Sequence, residues 1–225
     1  MIVIADIAGR YNELMKLVAK VPPGETIILV GDLIDRGSQS REVIEWAMKT
    51  PNVKTILGNH EDMLIDYYRG EGRYDHGLWI TNGGFETLNS YGLNRNSTNE
   101  EVDDAIPEEH IEWLESLPLY IEESIYLISH APFYAWDTIE EVKEKSKHYS
   151  ERRRPDESGL LWNRSEPANR PGVIQVFGHN AQWGLRWFKD AADSSYAICI
   201  DDSWRKKLTA LDTNTLEIYQ EPYEV

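Results

Sequence analysis

Several short apolar runs in this chain each stop at a residue able to hold a metal. Ile2-Val3-Ile4-Ala5 runs into Asp6, Ile27-Ile28-Leu29-Val30-Gly31 into Asp32, and Ile56-Leu57-Gly58 into Asn59-His60. Ile125 to Ser129 leads to His130, and Val173 to Gly178 leads to His179. Uninterrupted β-branched runs of this length read as strands buried on both faces. Open α/β sheets place ligands just past the carboxyl ends of such strands. The pattern therefore predicts that carboxylates, an amide and imidazoles converge on one sheet edge, a donor mixture suited to metals.

At 225 residues the chain is long enough for one large domain with a two-sided core, and no Pro/Gly/Ser-rich linker divides it. A single domain over residues 1–225 is expected. With 23 basic and 39 acidic residues the formal charge is −16. That field disfavours backbone-driven nucleic-acid binding and gives no attraction to anionic membranes. A phosphorylated substrate would approach against it, so its site must supply positive charge locally. The single cysteine, Cys199, sits in an apolar run and reads as a small buried hydrophobe. Met1 to Ala5 is too short for a signal peptide's apolar segment, and no run reaches the roughly 18 apolar residues of a membrane span. A cytoplasmic location is expected.

Helical spacing marks Tyr11 to Lys20 and Ser40 to Met48, and a third helix starts near His60. Alternating with the first strands, they predict right-handed crossovers and a parallel sheet. Trp79 to Tyr91 holds the turn signal Asn82-Gly83-Gly84 and then a helix, Asn94 to Asn99 reads as polar loop, and Glu108 to Leu117 as helix. From Leu119 the chain turns strand-rich and ends in a hairpin across Asp212-Thr213-Asn214.

Gly31-Asp32-Leu33-Ile34-Asp35-Arg36-Gly37 delivers Asp32 from a strand, then a tight turn, then an Asp-Arg pair. Arg36 offers a planar fork matched to phosphate. In Gly58-Asn59-His60-Glu61, Asn59 can lend an amide oxygen to a metal and His60 can act as general acid, with Asp35 fixing its tautomer.

GDLIDRG, GNHE, Ser129-His130-Ala131 and Gly178-His179-Asn180, in that order, resemble the metal-dependent phosphoprotein phosphatases of the calcineurin-like metallophosphoesterases. Trp79 to Gly84 and Leu161-Trp162-Asn163-Arg164 bring the chain nearest the compact bacterial and bacteriophage lambda type. The resemblance implies an α/β fold, a central β-sandwich of two mixed sheets flanked by helices. It implies two divalent metal ions, Mn2+ first and Fe, Zn or Ni as options. Asp6 and Asp32 would hold the first ion, with Asp32 bridging to a second held by Asn59, His130 and His179. Arg36 and Arg164 would hold phosphate oxygens, and His60, backed by Asp35, would protonate the leaving group after attack by a hydroxide between the metals. The implied function is hydrolysis of phosphomonoesters, with phosphoserine and phosphothreonine in proteins as substrates. Diadenosine tetraphosphate, other nucleotides or RNA ends are the alternative substrates within that chemistry.

The family pattern at the first strand is Asp-x-His-Gly, whereas this chain reads Asp6-Ile7-Ala8-Gly9. Ala8 ligates nothing, so a weakened first metal position is expected. A substituted histidine, a natural variant with weak occupancy and a non-catalytic phospho-ligand binder all fit that departure. Other residues read as structural: His110 and His148 as surface histidines, His76 as non-catalytic, and Lys143 to Arg154 as a solvated basic cluster. Trp183 and Trp187 could wall a cleft, and Asp201-Asp202 could support the site or form a surface turn.

Overall fold

A computed structural model of the chain describes residues 1–94, 96–152 and 158–224. Its first half alternates β1 (Ile2–Ile4), α1 (Tyr11–Val18), β2 (Ile27–Leu29), α2 (Ser40–Lys49), β3 (Val53–Thr55) and α3 (Asn59–Arg69). Short helices follow: α4 (His76–Trp79), a π-type turn (Ile80–Gly84), α5 (Phe85–Ser90), α6 (Asn99–Ala105) and α7 (Glu108–Glu115). The second half holds β4 (Tyr120–Glu123), β5 (Tyr126–Ser129), α8 (Ile139–Arg152), β6 (Ile174–Phe177), β7 (Arg186–Lys189), β8 (Ser195–Cys199), β9 (Lys207–Asp212) and β10 (Ile218–Pro222).

The strands form two mixed sheets, ordered β10-β9-β1-β2-β3 and β4-β5-β6-β8-β7. β1, β2 and β3 run parallel, while β9 joins β1 antiparallel with Val3 opposite Leu211. In the second sheet β5, β6 and β8 are parallel and the edges β4 and β7 antiparallel. The predicted terminal hairpin is the β9–β10 pair.

The period of two explains why the central runs are apolar throughout. Val3, Ala5, Ile28 and Val30 meet Ile128, Val176, Ile198 and Ile200 between the sheets. Ile2, Ile4, Ile27 and Leu29 face the other way and pack with Leu14, Leu17, Val43 and Ile44 of α1 and α2. Every residue of β1 and β2 is thus enclosed, and their carboxyl ends open onto one rim.

Some elements differ from expectation. β7 carries Arg186 and Lys189 at its ends, and such an edge strand lacks an apolar run. α6 begins inside the polar stretch because Thr98 and Glu101 cap it reciprocally. His110 is buried rather than at the surface: it lies one turn from Leu114 on the inner face of α7, and its Nδ1 is 2.8 Å from the Tyr91 hydroxyl. Cys199 is buried as expected, and burial raises its thiol pKa. Lys143 pairs with Glu122 at 2.8 Å and Lys145 with Asp137 at 2.6 Å, so those two cations serve their own chain. Arg153 and Arg154, together with the side chains of His76, His148 and Arg152, lie outside the described residues. Among the described residues no helix is long and apolar enough to cross a membrane.

Ile198, 1% exposed, sits in the layer where the sheets meet. Ile198→Ala should cost about 2–5 kcal/mol of unfolding free energy. Urea denaturation checks this, and a loss below 1 kcal/mol would show that the inter-sheet layer is loosely packed.

Candidate metal centre

The rim where both sheets end gathers most of the predicted residues. Asp6 follows β1, Asp32 lies just past β2, Asn59 and His60 open α3 after β3, His130 follows β5 and His179 lies just past β6. Asp32, His130 and His179 each offer a ligand atom within 4.8 Å of the others. All are buried, as are Asp6 and Asn59. Asp6, Asp32 and His179, with Ala8, Asp35 and Arg36, have positive φ, between 41° and 72°. Such conformations cost of order 1–3 kcal/mol each for non-glycine residues and cluster where side chains must be aimed rather than packed.

Glu61 holds this rim together. Its buried carboxylate accepts N–H bonds from Asp32 and Leu33 at 2.8 Å, Gly58 at 3.0 Å and Ile34 at 3.3 Å. One side chain on α3 thereby clamps the turn after β2 to the turn after β3. The two turns touch: a Cβ on Gly31, whose φ is +83°, would lie 2.5 Å from the Gly58 backbone. Burial, reinforced by the Asp32 charge, pushes Glu61 up to about 8. Its N–H donors call instead for a carboxylate, the state that a cation beside Asp32 restores.

His130 carries the strongest electrostatic argument. Its Nδ1 lies 2.8 Å from the Val30 carbonyl, so Nδ1 bears the proton and Nε2 presents a lone pair. That lone pair faces Asn59 Oδ1 at 2.8 Å, His179 Nδ1 at 3.1 Å and Asp32 Oδ1 at 3.3 Å. Burial lowers the pKa of both imidazoles, that of His179 to about 2, so protonation does not relieve the crowding. Buried acceptors pointing at one another repel unless a cation lies between them. His179 Nε2 is buried without a hydrogen-bond partner. On the β1 side, burial and the charges of Asp201 and Asp32 raise Asp6 well above the usual carboxylate range. The donor set fits a divalent metal, with mixed oxygen and imidazole ligands beneath α3's N-terminus.

Beside this cluster, Asp35 Oδ2 bonds His60 Nδ1. Asp35 is completely enclosed: the Trp79 indole N–H donates to it at 3.0 Å and Thr87 Oγ1 at 2.6 Å. His60 Nε2 faces Asp32 Oδ2 at 3.7 Å and Arg36 Nη2 at 2.8 Å. Burial works against the charged form of His60, but Asp32 and the Asp35 bond outweigh it, and its pKa rises. Arg36 and Arg164 are both exposed. Arg164 Nη1 donates to the His179 carbonyl at 3.2 Å, which brings the second guanidinium to the same rim.

Ala8 is buried with φ +51°, and its N–H donates to the Asp32 carbonyl at 2.8 Å. Its methyl group adds no ligand to the Asp6 side. Asp201 and Asp202 are buried, not a surface turn, and Ser203 N–H donates to Asp201 at 3.0 Å. Trp183 packs on Phe177 and Phe188, and Trp187 joins the layer between the sheets, so neither walls the cleft. Trp162 does: its ring meets His179 edge-on, centroids 6.2 Å apart. The supports on Asp35 from Trp79 and Thr87 carried no separate signal in sequence, because each lies more than 40 residues from its partner.

A polar network ties Trp162 to α3. Its indole donates to Tyr74 Oη at 3.1 Å, and Tyr74 donates to Asp62 at 2.5 Å. Asp62 also accepts from Tyr149 at 2.5 Å and Arg73 at 2.8 Å. Tyr74→Phe removes one charge-assisted donor and should cost about 1.5–3 kcal/mol. Chemical denaturation of the variant measures it, and an unchanged midpoint would show that Tyr149 and Arg73 satisfy Asp62 alone.

Residues 1–199 match the model of the calcineurin-like phosphoesterases. The chain is 25% identical over 214 residues to an asymmetrical bis(5'-nucleosyl)-tetraphosphatase, PrpE, of Anoxybacillus flavithermus, covering 85% of this chain and 82% of that protein. It is 34% identical over 86 residues to serine/threonine-protein phosphatase 2 of Salmonella typhimurium, covering 37% of this chain and 38% of the relative. The chain spans less than half the length of several such curated relatives. In fold it is similar to a serine/threonine phosphatase of Saccharomyces cerevisiae, with a TM-score of 0.64 at 18% identity, covering 100% of this chain and 80% of that one.

Proposed function

The chain belongs to the calcineurin-like phosphoesterase family, and from that premise we propose that this rim hydrolyses phosphoesters with Asp6, Asp32, Asn59, His130 and His179 as metal ligands. The convergence of lone pairs on His130 Nε2 carries the reading. Divalent cations held there would neutralise phosphoryl charge and lower the pKa of water.

The remaining work falls to the chain's own groups. Arg36 and Arg164, both exposed at the rim, hold phosphoryl oxygens and offset the repulsion of a chain with net charge −16. His60 has its Nδ1 bonded to Asp35 and its Nε2 accepting from Arg36 in this structure. Once Arg36 turns to the phosphoryl group, His60 presents Nε2 to the leaving oxygen, and its imidazolium form gives that oxygen a proton. Asp35 is a positioning residue: Trp79 and Thr87 pin it, and it fixes the ring. Phosphoserine and phosphothreonine esters, whose alkoxides leave poorly, are substrates that need such an acid, and the partial Salmonella match favours them. The longer PrpE match favours nucleoside polyphosphates. Mn2+ is the metal we assign first, with Fe, Zn or Ni also suited to the mixed oxygen and imidazole donor set.

His60→Asn should lower kcat on an alkyl phosphate by about 10²–10⁴-fold and on p-nitrophenyl phosphate by far less, since that leaving group needs no proton. Equal losses on the two esters would remove His60 from the acid role. Alkyl phosphate turnover should fall as pH rises through deprotonation of His60, a limb that His60→Asn abolishes in a pH–rate profile.

Ala8→His should raise Mn2+ stoichiometry in calorimetric titration and increase kcat/KM by about tenfold or more. Equal stoichiometry and rate would make position 8 dispensable, and no turnover in either form would favour a phospho-ligand binder.

A further inference from the structure

Among the described residues, the buried side-chain atoms without a hydrogen-bond partner are Arg10 Nε, Gln175 Oε1, His179 Nε2 and Tyr223 Oη. His179 is a proposed ligand, and Arg10 and Tyr223 form one stacked pair, the guanidinium carbon 3.9 Å from the ring centroid. Folded chains leave few buried polar atoms unpaired, and a bound water or ion is the usual partner of those that remain.

The sheet register carries Tyr223 to the rim. β9 pairs antiparallel with β1, Ile4 opposite Ala210, and β10 pairs antiparallel with β9, Glu221 opposite Leu208. Extended by two residues, the first register sets Asp6, Leu208 and Glu221 in one row across three strands. Tyr223 stands two residues further toward the rim, where its N–H donates to the Lys206 carbonyl at 2.8 Å. Arg10, two residues after Ala8, reaches across to lie over its ring. The segment is fastened to α1 as well: Glu224 N–H donates to Glu13 at 3.1 Å, and the Glu224 carboxylate pairs with Lys16. Burial and the charges of Asp201 and Asp6 raise the phenol pKa, so Tyr223 keeps its proton and remains a donor.

We propose that Tyr223 is a positioning residue of the metal centre: through one buried water its hydroxyl holds Asp6 and Asp201, and so supports the cation on the side where Ala8 supplies no ligand. The inference rests on the metal-ligand role given to Asp6. Tyr223 Oη bonds neither carboxylate directly, and a water between them would find three polar partners. A donor behind a ligating carboxylate fixes the direction of its oxygens toward the ion. The Tyr223 ring serves the fold by packing on Arg10, whereas the hydroxyl, with no partner in the chain, serves only the site.

The test compares the full chain with Tyr223→Phe, which keeps the ring and deletes the hydroxyl. Without added metal, the urea midpoint should be unchanged, because an unpartnered hydroxyl contributes no bond to the fold. Mn2+ affinity at the weaker position, read by titration calorimetry, should fall about tenfold or more, with the tighter position unaffected. The same pair is titrated with Ala8→His, which strengthens the weaker position and brings it into range. Unchanged affinity at every Mn2+ position in both backgrounds overturns the role of Tyr223 and leaves the metal reading intact. An equal loss at two positions, or a lower urea midpoint without metal, assigns the hydroxyl to the fold and also overturns it. Failure of the unaltered chain and of Ala8→His to bind Mn2+ removes the metal reading, and the role of Tyr223 with it.

Discussion

Glu61 is the contact on which the rest of the rim depends. Its carboxylate receives N–H groups from the turn after β2 and from the turn after β3, which holds Asp32 beside Asn59 and His60. The turn after β2 is not stable by sequence preference alone, since Asp32, Asp35 and Arg36 all sit at positive φ. A buried acceptor with four donors stabilises both turns at once, and removing it would strand those N–H groups away from water. The glycines complete the clamp by letting the two backbones touch at Gly31 and Gly58.

Held this way, the groups at the rim are electrostatically incomplete. Asp6, Asp32 and Asp201 repel one another, and His130 aims its Nε2 lone pair at the oxygens of Asn59 and Asp32. Asp62, buried away from the rim, finds its partners in the ordinary way, with Tyr74, Tyr149 and Arg73. The contrast is the one expected between a site that fits a cation and one that serves stability. The chain belongs to the calcineurin-like phosphoesterases, and metal-dependent phosphoester hydrolysis is the chemistry proposed for it. Cations held at the rim would also answer the chain's charge, because a protein of −16 attracts a phosphate only where positive charge is concentrated.

Legibility from sequence followed the range of the interaction. The central strands, α1 to α3 and the final hairpin were visible because burial on both faces or on one helical stripe imposes a local period. β7 and α6 were not, since an edge strand and a capped polar helix bury too little to leave one. His110 was misread because a single polar residue on an inner helix face looks like any charged-helix residue until Tyr91 arrives from another element. The role expected of Trp183 went instead to Trp162, which reaches His179 from a loop anchored by Tyr74.

Sequence by itself determined the donors at the rim and their order, and the absence of an imidazole at position 8. Each donor sits at the end of an apolar run, and strand ends are local properties of the chain. Only the tertiary structure decided that two separate sheets pack their inner faces so that His130 and His179 from one meet Asp32 and Asn59 from the other. Residues at least 71 positions apart cannot announce that meeting, because apolar packing between sheets is non-directional and leaves no periodic trace of which faces join.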